Sequence, residues 1–242
     1  MRTIKPISVI VLIFLLSLVS CDISPWGCIV GNDRIAIEER TIGPFSSISS
    51  YGSFVVNVEI GSDHSLSIES DENLLPYIRT SIEGNTLILE TRDGKCLRSR
   101  EPIIIDVVTR EIDELKLAGS GVITANRFSA PELSLILTGS GDINCKRITM
   151  DYLQARISGS GNINLSGTTE TADYTITGSG QIRAGDLVAE RCYAEISGSG
   201  NVYTYVLDLL DVSITGSGDL YYDGDPEIIK NITGSGDVRK YK

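Results

Sequence analysis

The tripeptide Gly-Ser-Gly recurs seven times in the second half of this 242-residue chain, at spacings of 18 to 20 residues. Such regular spacing is typical of a structural repeat and not of a flexible glycine-serine linker. A unit of this length cannot bury an apolar face by itself, so the units must stack on one another. The copies begin at Gly119, Gly139, Gly159, Gly178, Gly198, Gly216 and Gly234.

Apolar and polar residues alternate around each tripeptide. An aliphatic residue stands two positions before every copy and another two positions after it, as Leu117 and Ile123 do around the first. This period of two predicts short strands with one buried face, and strands of successive units would run parallel about 4.8 Å apart. The sequence therefore predicts an all-β fold, a parallel β-helix or β-solenoid with about 18–20 residues per coil.

The tripeptide itself suits a corner of the coil. Glycine can adopt positive φ or allow neighbouring coils to approach closely. The residue before each tripeptide is always small, so it and the serine are expected to form ladders of hydroxyl groups. We favour this structural role over a row of ligand-binding serines.

Residues 1–20 have the form of a signal peptide, with two basic residues before an apolar run of 13 residues, Ile7 to Val19. The run ends in Leu18-Val19-Ser20-Cys21, which resembles the lipobox of bacterial lipoproteins. We expect cleavage before Cys21, lipidation of this cysteine, and a tether over residues 21–33. The alternative is ordinary secretory cleavage that leaves a free thiol.

The remaining chain divides by the regularity of its repeat. Residues 34–111 contain strand-like runs and are expected to form irregular coils that cap the solenoid. Residues 112–242 are expected to form the regular coils, in one continuous domain over residues 34–242. Without residues 1–20 the chain has 19 basic and 32 acidic residues, so it would repel nucleic acid.

Four segments of the N-terminal half, followed by repeats such as Gly-Ser-Gly-Asp-Ile, resemble the putative auto-transporter adhesin, head GIN domain family. The resemblance covers about residues 40–240. It implies a right-handed single-stranded parallel β-helix in a domain of unknown function, common in lipoproteins of Bacteroidetes-type bacteria. It implies an adhesin but supplies no binding residues. The segments are Phe45-Ser46-Ser47-Ile48, Val56-Asn57-Val58, Asp71-Glu72-Asn73-Leu74-Leu75 and Asn85-Thr86-Leu87-Ile88-Leu89.

Five cysteines suit an oxidising compartment if most of them are modified, paired or buried. Cys28 and Cys96 both lie in the irregular half, and the sequence leaves open whether they form a disulfide or remain separate. Cys145 and Cys192 fall on different inward columns about two coils apart, beyond disulfide reach, so we expect two buried thiols. No two cysteines are close in sequence, so no metal or cofactor is expected.

Two features were considered for catalysis or ion binding. His64, the only histidine, lies in an apparent turn and is expected to be an exposed loop residue and not a member of a catalytic triad. Asp219 and Asp237 each follow a tripeptide, so they are expected one coil apart, where a calcium ion could offset their repulsion. The chain lacks the nine-residue calcium-roll repeat, and we expect no catalytic residues.

Three classes of function remain. The first is a lipid-anchored outer-membrane module, facing the periplasm or the exterior, that binds a glycan or an envelope or host protein with one solenoid face. The second is a structural or assembly protein of the envelope without a ligand, and the third is a polysaccharide-active enzyme. The aromatic cluster that would favour glycan binding is Tyr203, Tyr205, Tyr221 and Tyr222, of which Tyr222 stands in an inward column.

Overall fold

The structure is a computed structural model that describes residues 27–241. The predictions for residues 1–20, for Cys21 and for residues 22–26 of the tether lie outside the described residues. Within residues 27–241 the chain forms strands and two short 3₁₀ turns, Leu75–Tyr77 and Arg92–Gly94, and none of its helical segments is long and apolar enough to cross a bilayer. The strands are β1 (Ile29–Val30), β2 (Ile35–Arg40), β3 (Ser47–Gly52), β4 (Val55–Ile60), β5 (Ser65–Asp71), β6 (Ile78–Glu83), β7 (Thr86–Thr91), β8 (Leu97–Arg98), β9 (Ile104–Thr109), β10 (Glu114–Gly119), β11 (Val122–Asn126), β12 (Ser129–Gly139), β13 (Asp142–Gly159), β14 (Asn162–Gly178), β15 (Gln181–Gly198), β16 (Asn201–Gly216), β17 (Leu220–Asp223), β18 (Glu227–Gly234) and β19 (Val238–Lys240).

From β10 to β19 the strands of successive coils pair in parallel, and the register is kept except at irregularities that follow Lys146, Asn164, Ala184 and Ala189. The leading glycines of the seven tripeptides align in one column, from Gly119 through Gly139 to Gly234. The coils stack into a β-solenoid of about six turns. The fold class predicted from the spacing of the tripeptide is therefore confirmed.

Aliphatic side chains fill the interior in columns that follow the same register. One column runs from Leu117 through Ile157 to Ile214 and is buried along its length. Burying each such side chain stabilises the fold by about 1.5–3 kcal/mol. A second column contains Tyr174, whose ring is fully buried because its neighbours in the coils on either side are Ala155 and Ala194.

The glycine corners join the coils through the backbone. The N–H groups of Ser140 and Gly141 both donate to the carbonyl oxygen of Gly119, each at 3.0 Å, and the Ser140 side chain is exposed. An eighth glycine, Gly52, stands on the same column with a φ of +148°. It was missed in the sequence because Phe54 replaces the second glycine of the tripeptide there.

The coils of the N-terminal half do not stack in chain order. Strands β3 and β4 pair with β10 and β11 on one side and with β7 and β9 on the other. The order along the axis is therefore residues 86–109, then 47–60, then 114–126. The chain therefore forms the second coil of the stack first, with residues 47–60. It then forms the terminal coil with residues 86–109, and the regular coils follow on the other side of residues 47–60.

Antiparallel strands close this end of the solenoid. β6 pairs with β7 through the hairpin turn at Gly84, and β5 joins β9 to β2, again with antiparallel pairing. The small parallel pair of β1 and β8 lies beside this cap, where Cys28 and Cys96 form a disulfide. The cap thus supplies the paired edges that a stack of parallel coils needs at its end.

The two remaining described cysteines are free and buried inside the coils. Burial raises the pKa of the Cys145 thiol to about 12, and burial raises that of Cys192 to the same value. Both thiols are therefore protonated and chemically protected at neutral pH.

Candidate binding face and tyrosine site

One outward column of the solenoid runs through the cap and the body without a break, and we call it the outer ladder. In the repeats it is the fifth residue after each leading glycine, and strand register aligns its members from coil to coil. At about 4.8 Å per step it extends over about 38 Å. Its members, in order along the axis, are Asp106, Asn57, Thr124, Asn144, Asn164, Arg183, Tyr203, Tyr221 and Arg239.

Three neighbouring pairs of polar side chains in the outer ladder form hydrogen bonds. The Asn57 amide donates to Asp106 at 2.8 Å, and the Asn164 amide donates to Asn144 at the same distance. One Arg183 nitrogen donates to Asn164 at 3.4 Å and another to the side chain of Gln181 at 2.8 Å. These contacts hold the side chains in order along the face, so little rotamer freedom is left to lose when a ligand binds.

The outer ladder becomes aromatic near the C-terminal end. Tyr203 and Tyr221 stack with ring centroids 5.0 Å apart and an interplanar angle of 12°. Tyr241 meets the edge of Tyr203 at 6.5 Å. The Tyr221 hydroxyl donates to Asp219 at 3.0 Å, and this hydrogen bond raises the pKa of Tyr221.

The three tyrosines form one side of a concave site of about 290 Å³. Arg183 and Asp186 approach from the preceding coil and Asp223 from the following one. The site therefore combines aromatic surface with one cation and two carboxylates. The full lining is Arg183, Gly185, Asp186, Tyr203, Thr204, Tyr221, Asp223 and Tyr241.

A larger concavity of about 510 Å³ lies at the opposite end of the outer ladder. Asn57, Asp106 and Thr124 of the ladder line it, together with Arg127 and Arg147 from a corner of two successive coils. It contains no aromatic side chain among its lining residues. The ladder therefore joins two recesses of different chemistry, polar at the cap and aromatic at the far end.

The sequence placed part of this site correctly and missed the rest. Tyr203 and Tyr221 do lie together on the surface, while Tyr222 points inward and packs against the core. Arg183, Asp186 and Tyr241 were not predicted. Arg183 could have been found by following the fifth position after each tripeptide, whereas Asp186 and Tyr241 come from a corner and from the chain end, which do not follow the repeat.

Asp219 and Asp237 do lie one coil apart, and protein donors occupy both carboxylates. Asp219 accepts the backbone N–H of Asp237 at 2.9 Å as well as the Tyr221 hydroxyl. Asp237 binds Arg239 at 2.9 Å, and this contact lowers the pKa of Asp237. Among residues 27–241 no group of three or more potential metal ligands occurs.

His64 lies in the loop between β4 and β5, as expected, but it is half buried and not exposed. Its ring packs 5.6 Å from that of Phe45, and Nδ1 lies 3.4 Å from the Thr109 hydroxyl. The Ser46 hydroxyl nearby donates to Asp113 at 2.7 Å instead of to the histidine. The geometry is thus that of a packed cap residue, whose imidazole contacts the Thr109 hydroxyl and not that of Ser46.

The fold and this face define a β-solenoid protein that presents a continuous ladder of polar and aromatic side chains. Residues 44–226 match the family described as "Putative auto-transporter adhesin, head GIN domain", and the chain belongs to that family. The resemblance found in the sequence is thus confirmed. No curated protein matches the sequence.

Several solved structures share the fold. A "putative adhesin" from Bacteroides fragilis has a TM-score of 0.83 at 21% identity, over 88% of this chain and 100% of that one. A "putative adhesin" from Parabacteroides merdae has a TM-score of 0.71 at 25% identity, over 88% of this chain and 99% of that one. A "Putative lipid binding protein" from Parabacteroides distasonis has a TM-score of 0.74 at 28% identity, over 89% of this chain and 100% of that one.

Proposed function

We propose that this protein is a lipid-anchored adhesion module of the cell envelope that binds a glycan chain along its outer ladder. The observation that carries the proposal is the stacked pair of Tyr203 and Tyr221 at the edge of a concave site, in line with a column of ordered polar side chains. The family description of an adhesin agrees with a binding role.

The chemistry of the tyrosine site suits a sugar. Flat aromatic rings pack against the apolar C–H faces of sugar rings and exclude water from the contact. Asp186 and Asp223 provide carboxylate acceptors for hydroxyl groups, and Arg183 provides planar donors. A concave site with aromatic walls and a few convergent polar groups is the usual form of a small-molecule site.

The shape of the ladder suits an extended ligand. Its members repeat at the inter-strand distance, so equivalent polar groups recur about every 4.8 Å along a straight line. A linear polymer of sugar units offers hydroxyl groups with comparable regularity. Several weak contacts in a row would then add up, as they do when linked sites bind together.

The proposed location rests on the N-terminal sequence. Leu18-Val19-Ser20-Cys21 at the end of an apolar run supports lipidation of Cys21 and anchoring in the outer membrane. The acidic body would remain in the aqueous phase outside the bilayer. Asp219 and Asp237 are already bound by protein donors, and the His64 imidazole contacts the Thr109 hydroxyl, so binding without turnover is the role we propose.

A glycan array probed with residues 22–242 tests the proposal. We expect binding to a subset of linear glycans, and a loss of affinity of about tenfold or more for Tyr203→Ala and for Tyr221→Ala. Tyr193→Ala is the matched control, because Tyr193 is an exposed tyrosine on another face of the same solenoid. Equal losses in all three variants, or binding to no glycan alongside a reproducible protein partner in pull-downs, would refute the glycan site.

A further inference from the structure

The cap end of the solenoid carries a second surface that the outer ladder does not include. It consists of Val30, Ile35, Ile37, Arg98 and Arg100, and we call it the anchor-proximal patch. The three aliphatic side chains are exposed to 61%, 47% and 68%, high values for residues of this kind. Both arginines are exposed as well.

Strand pairing and packing bring these five residues together. Val30 pairs with Arg98 in the small sheet of β1 and β8. Ile35 and Arg100 line the same shallow recess of about 260 Å³. Ile35 and Ile37 alternate with Ala36, which packs against the core, so both isoleucines point outward from the same side of β2.

The patch is firmly attached to the cap. The disulfide of Cys28 and Cys96 ties the start of the described chain to β8. The Gly31 N–H donates to the Arg98 carbonyl at 2.8 Å, and the Asn73 amide donates to the Val30 carbonyl at 2.8 Å. The chain therefore becomes part of the rigid fold from Cys28 onward.

This attachment limits the distance between the patch and the proposed lipid. Six residues lead from Cys21 to Gly27, and a fully extended chain of that length spans at most about 20 Å. A protein held so close to a bilayer meets the headgroup layer with the part nearest to the anchor. That part is the end that exposes Val30, Ile35 and Ile37.

One segment of this end is locally basic, although the recess that Ile35 and Arg100 line also contains Asp71 and Glu101, and Asp33 lies 3.2 Å from Arg100. Residues 92–100 contain four basic residues and one acidic residue, whereas acidic residues predominate in the chain as a whole. An anionic membrane surface would repel the solenoid body but attract this segment, within about one Debye length. Exposed aliphatic side chains beside arginines also match the interfacial region of a bilayer, where both kinds of group are favourable.

We propose that the anchor-proximal patch contacts the headgroup region of a phospholipid bilayer that contains anionic lipid, and so holds the cap against the membrane. The tyrosine site lies at the other end of the stack, in the last coils, and would face away from the lipid. The inference rests on the lipid anchor of the proposed function and is independent of the glycan site.

Vesicle flotation with residues 22–242 tests the patch without help from the lipid. We expect flotation with vesicles of phosphatidylcholine and phosphatidylglycerol at low ionic strength, and at least about tenfold less with phosphatidylcholine alone. Arg98→Glu combined with Arg100→Glu should lower partitioning about tenfold or more, since each basic residue near such a surface contributes about fivefold. Ile35→Ser combined with Ile37→Ser should lower it severalfold.

Each pair of substitutions has a matched control elsewhere on the solenoid. Lys146→Glu with Arg156→Glu reverses two exposed basic residues of the body, and Ile228→Ser with Ile229→Ser changes two exposed isoleucines of β18 at the opposite end. These controls should float almost as the parent does. If a glutamate variant loses its β circular dichroism spectrum, Arg98→Gln with Arg100→Gln replaces it.

Two results would overturn the inference: no preference for phosphatidylglycerol, or equal losses for the patch variants and their controls. Glycan binding measured on the same preparations keeps the two proposals separate. A patch variant that no longer floats but still binds glycan would support the membrane contact, and a Tyr203→Ala variant should float normally.

Discussion

Gly139 lies so close to Gly119 in the neighbouring coil that a Cβ atom on Gly139 would stand 2.6 Å from the Gly119 carbonyl oxygen. That oxygen also accepts two backbone N–H groups from the same corner. With a φ of +120° at Gly139, the corner excludes any side chain both by its conformation and by its packing.

Gly139→Ala should therefore lower the free energy of unfolding by at least about 2 kcal/mol, since it combines backbone strain with displacement of a neighbouring coil. Ser140→Ala, one residue further, should change it by less than about 0.5 kcal/mol, because the serine contributes its backbone and its side chain is exposed. Urea unfolding followed by circular dichroism measures both. Similar losses for the two variants would mean that the hydroxyl ladder, and not the glycine, stabilises the corner.

The packing of Ala155 and Ala194 against Tyr174 leads to a second prediction. Ala194→Leu should cost about 1–3 kcal/mol of stability, because the buried tyrosine already fills the space between the coils. In a Tyr174→Leu background the Ala194→Leu change should cost clearly less stability, because leucine is smaller than tyrosine and leaves room for the larger side chain at position 194. A double-mutant cycle measures this coupling, and additive effects would show that the two positions do not share space.

The disulfide of the cap should stabilise the protein appreciably. It closes a loop with a sequence separation of 68, for which the chain-entropy estimate is about 4 kcal/mol. Cys28→Ser with Cys96→Ser should lower the unfolding midpoint in urea, and reduction of the parent protein should have the same effect. The double variant itself should not respond to reductant; a further shift on reduction would point to some other disulfide.

The buried thiols predict a dependence of stability on alkaline pH. Below about pH 9 the thiols are protonated in both the folded and the unfolded chain, so they contribute no slope. Between about pH 9 and 12 the unfolded chain releases these protons while Cys145 and Cys192 in the folded protein retain them, so the free energy of unfolding falls as pH rises.

Cys145→Ala with Cys192→Ala should flatten this fall, as equilibrium unfolding at a series of pH values would reveal. Alkylation with iodoacetamide at pH 8 gives an independent measurement, because neither thiol should react until the protein unfolds. Rapid labelling of the native protein would contradict the burial on which this prediction depends.

The proposed anchor makes a prediction in the cell. Cys21→Ser should abolish incorporation of labelled fatty acid and release the protein from the membrane fraction, because a single hydroxyl cannot carry the thioether-linked lipid. Mass spectrometry of the N-terminal peptide and membrane fractionation provide the two measurements. A variant that remained membrane-bound without lipid would point to attachment through the anchor-proximal patch alone.

The sequence predicted the regular coils well because their determinants are local. Alternation around each tripeptide decides which side chains face inward, and the glycines mark the corners, so the column from Leu117 to Ile214 could be written down in advance. The order of coils in the cap could not be predicted from such local signals. It depends on residues 47–60 pairing with residues 114–126, a contact across more than fifty residues that leaves no periodic signal.

The candidate site likewise has one part that the sequence predicted and another that it did not. The stacked tyrosines follow from the repeat, because Tyr203 and Tyr221 occupy the same position in successive coils. The depth of the site depends on Asp186 and on Tyr241, which lie where coil length varies and where the chain ends. Residues outside the repeat are placed by tertiary packing, which is also why His64 was expected in solvent and is found against Phe45.

The out-of-order threading of the cap affects how proteins of this architecture can change in length during evolution. Each regular coil pairs only with its two neighbours, so duplicating one unit after Gly119 would lengthen the rod by about 4.8 Å and leave both ends intact. A duplication before that residue would separate β3 from β10 and destroy the cap. Selection can therefore extend the outer ladder one step at a time, but only within the regular coils that follow β10.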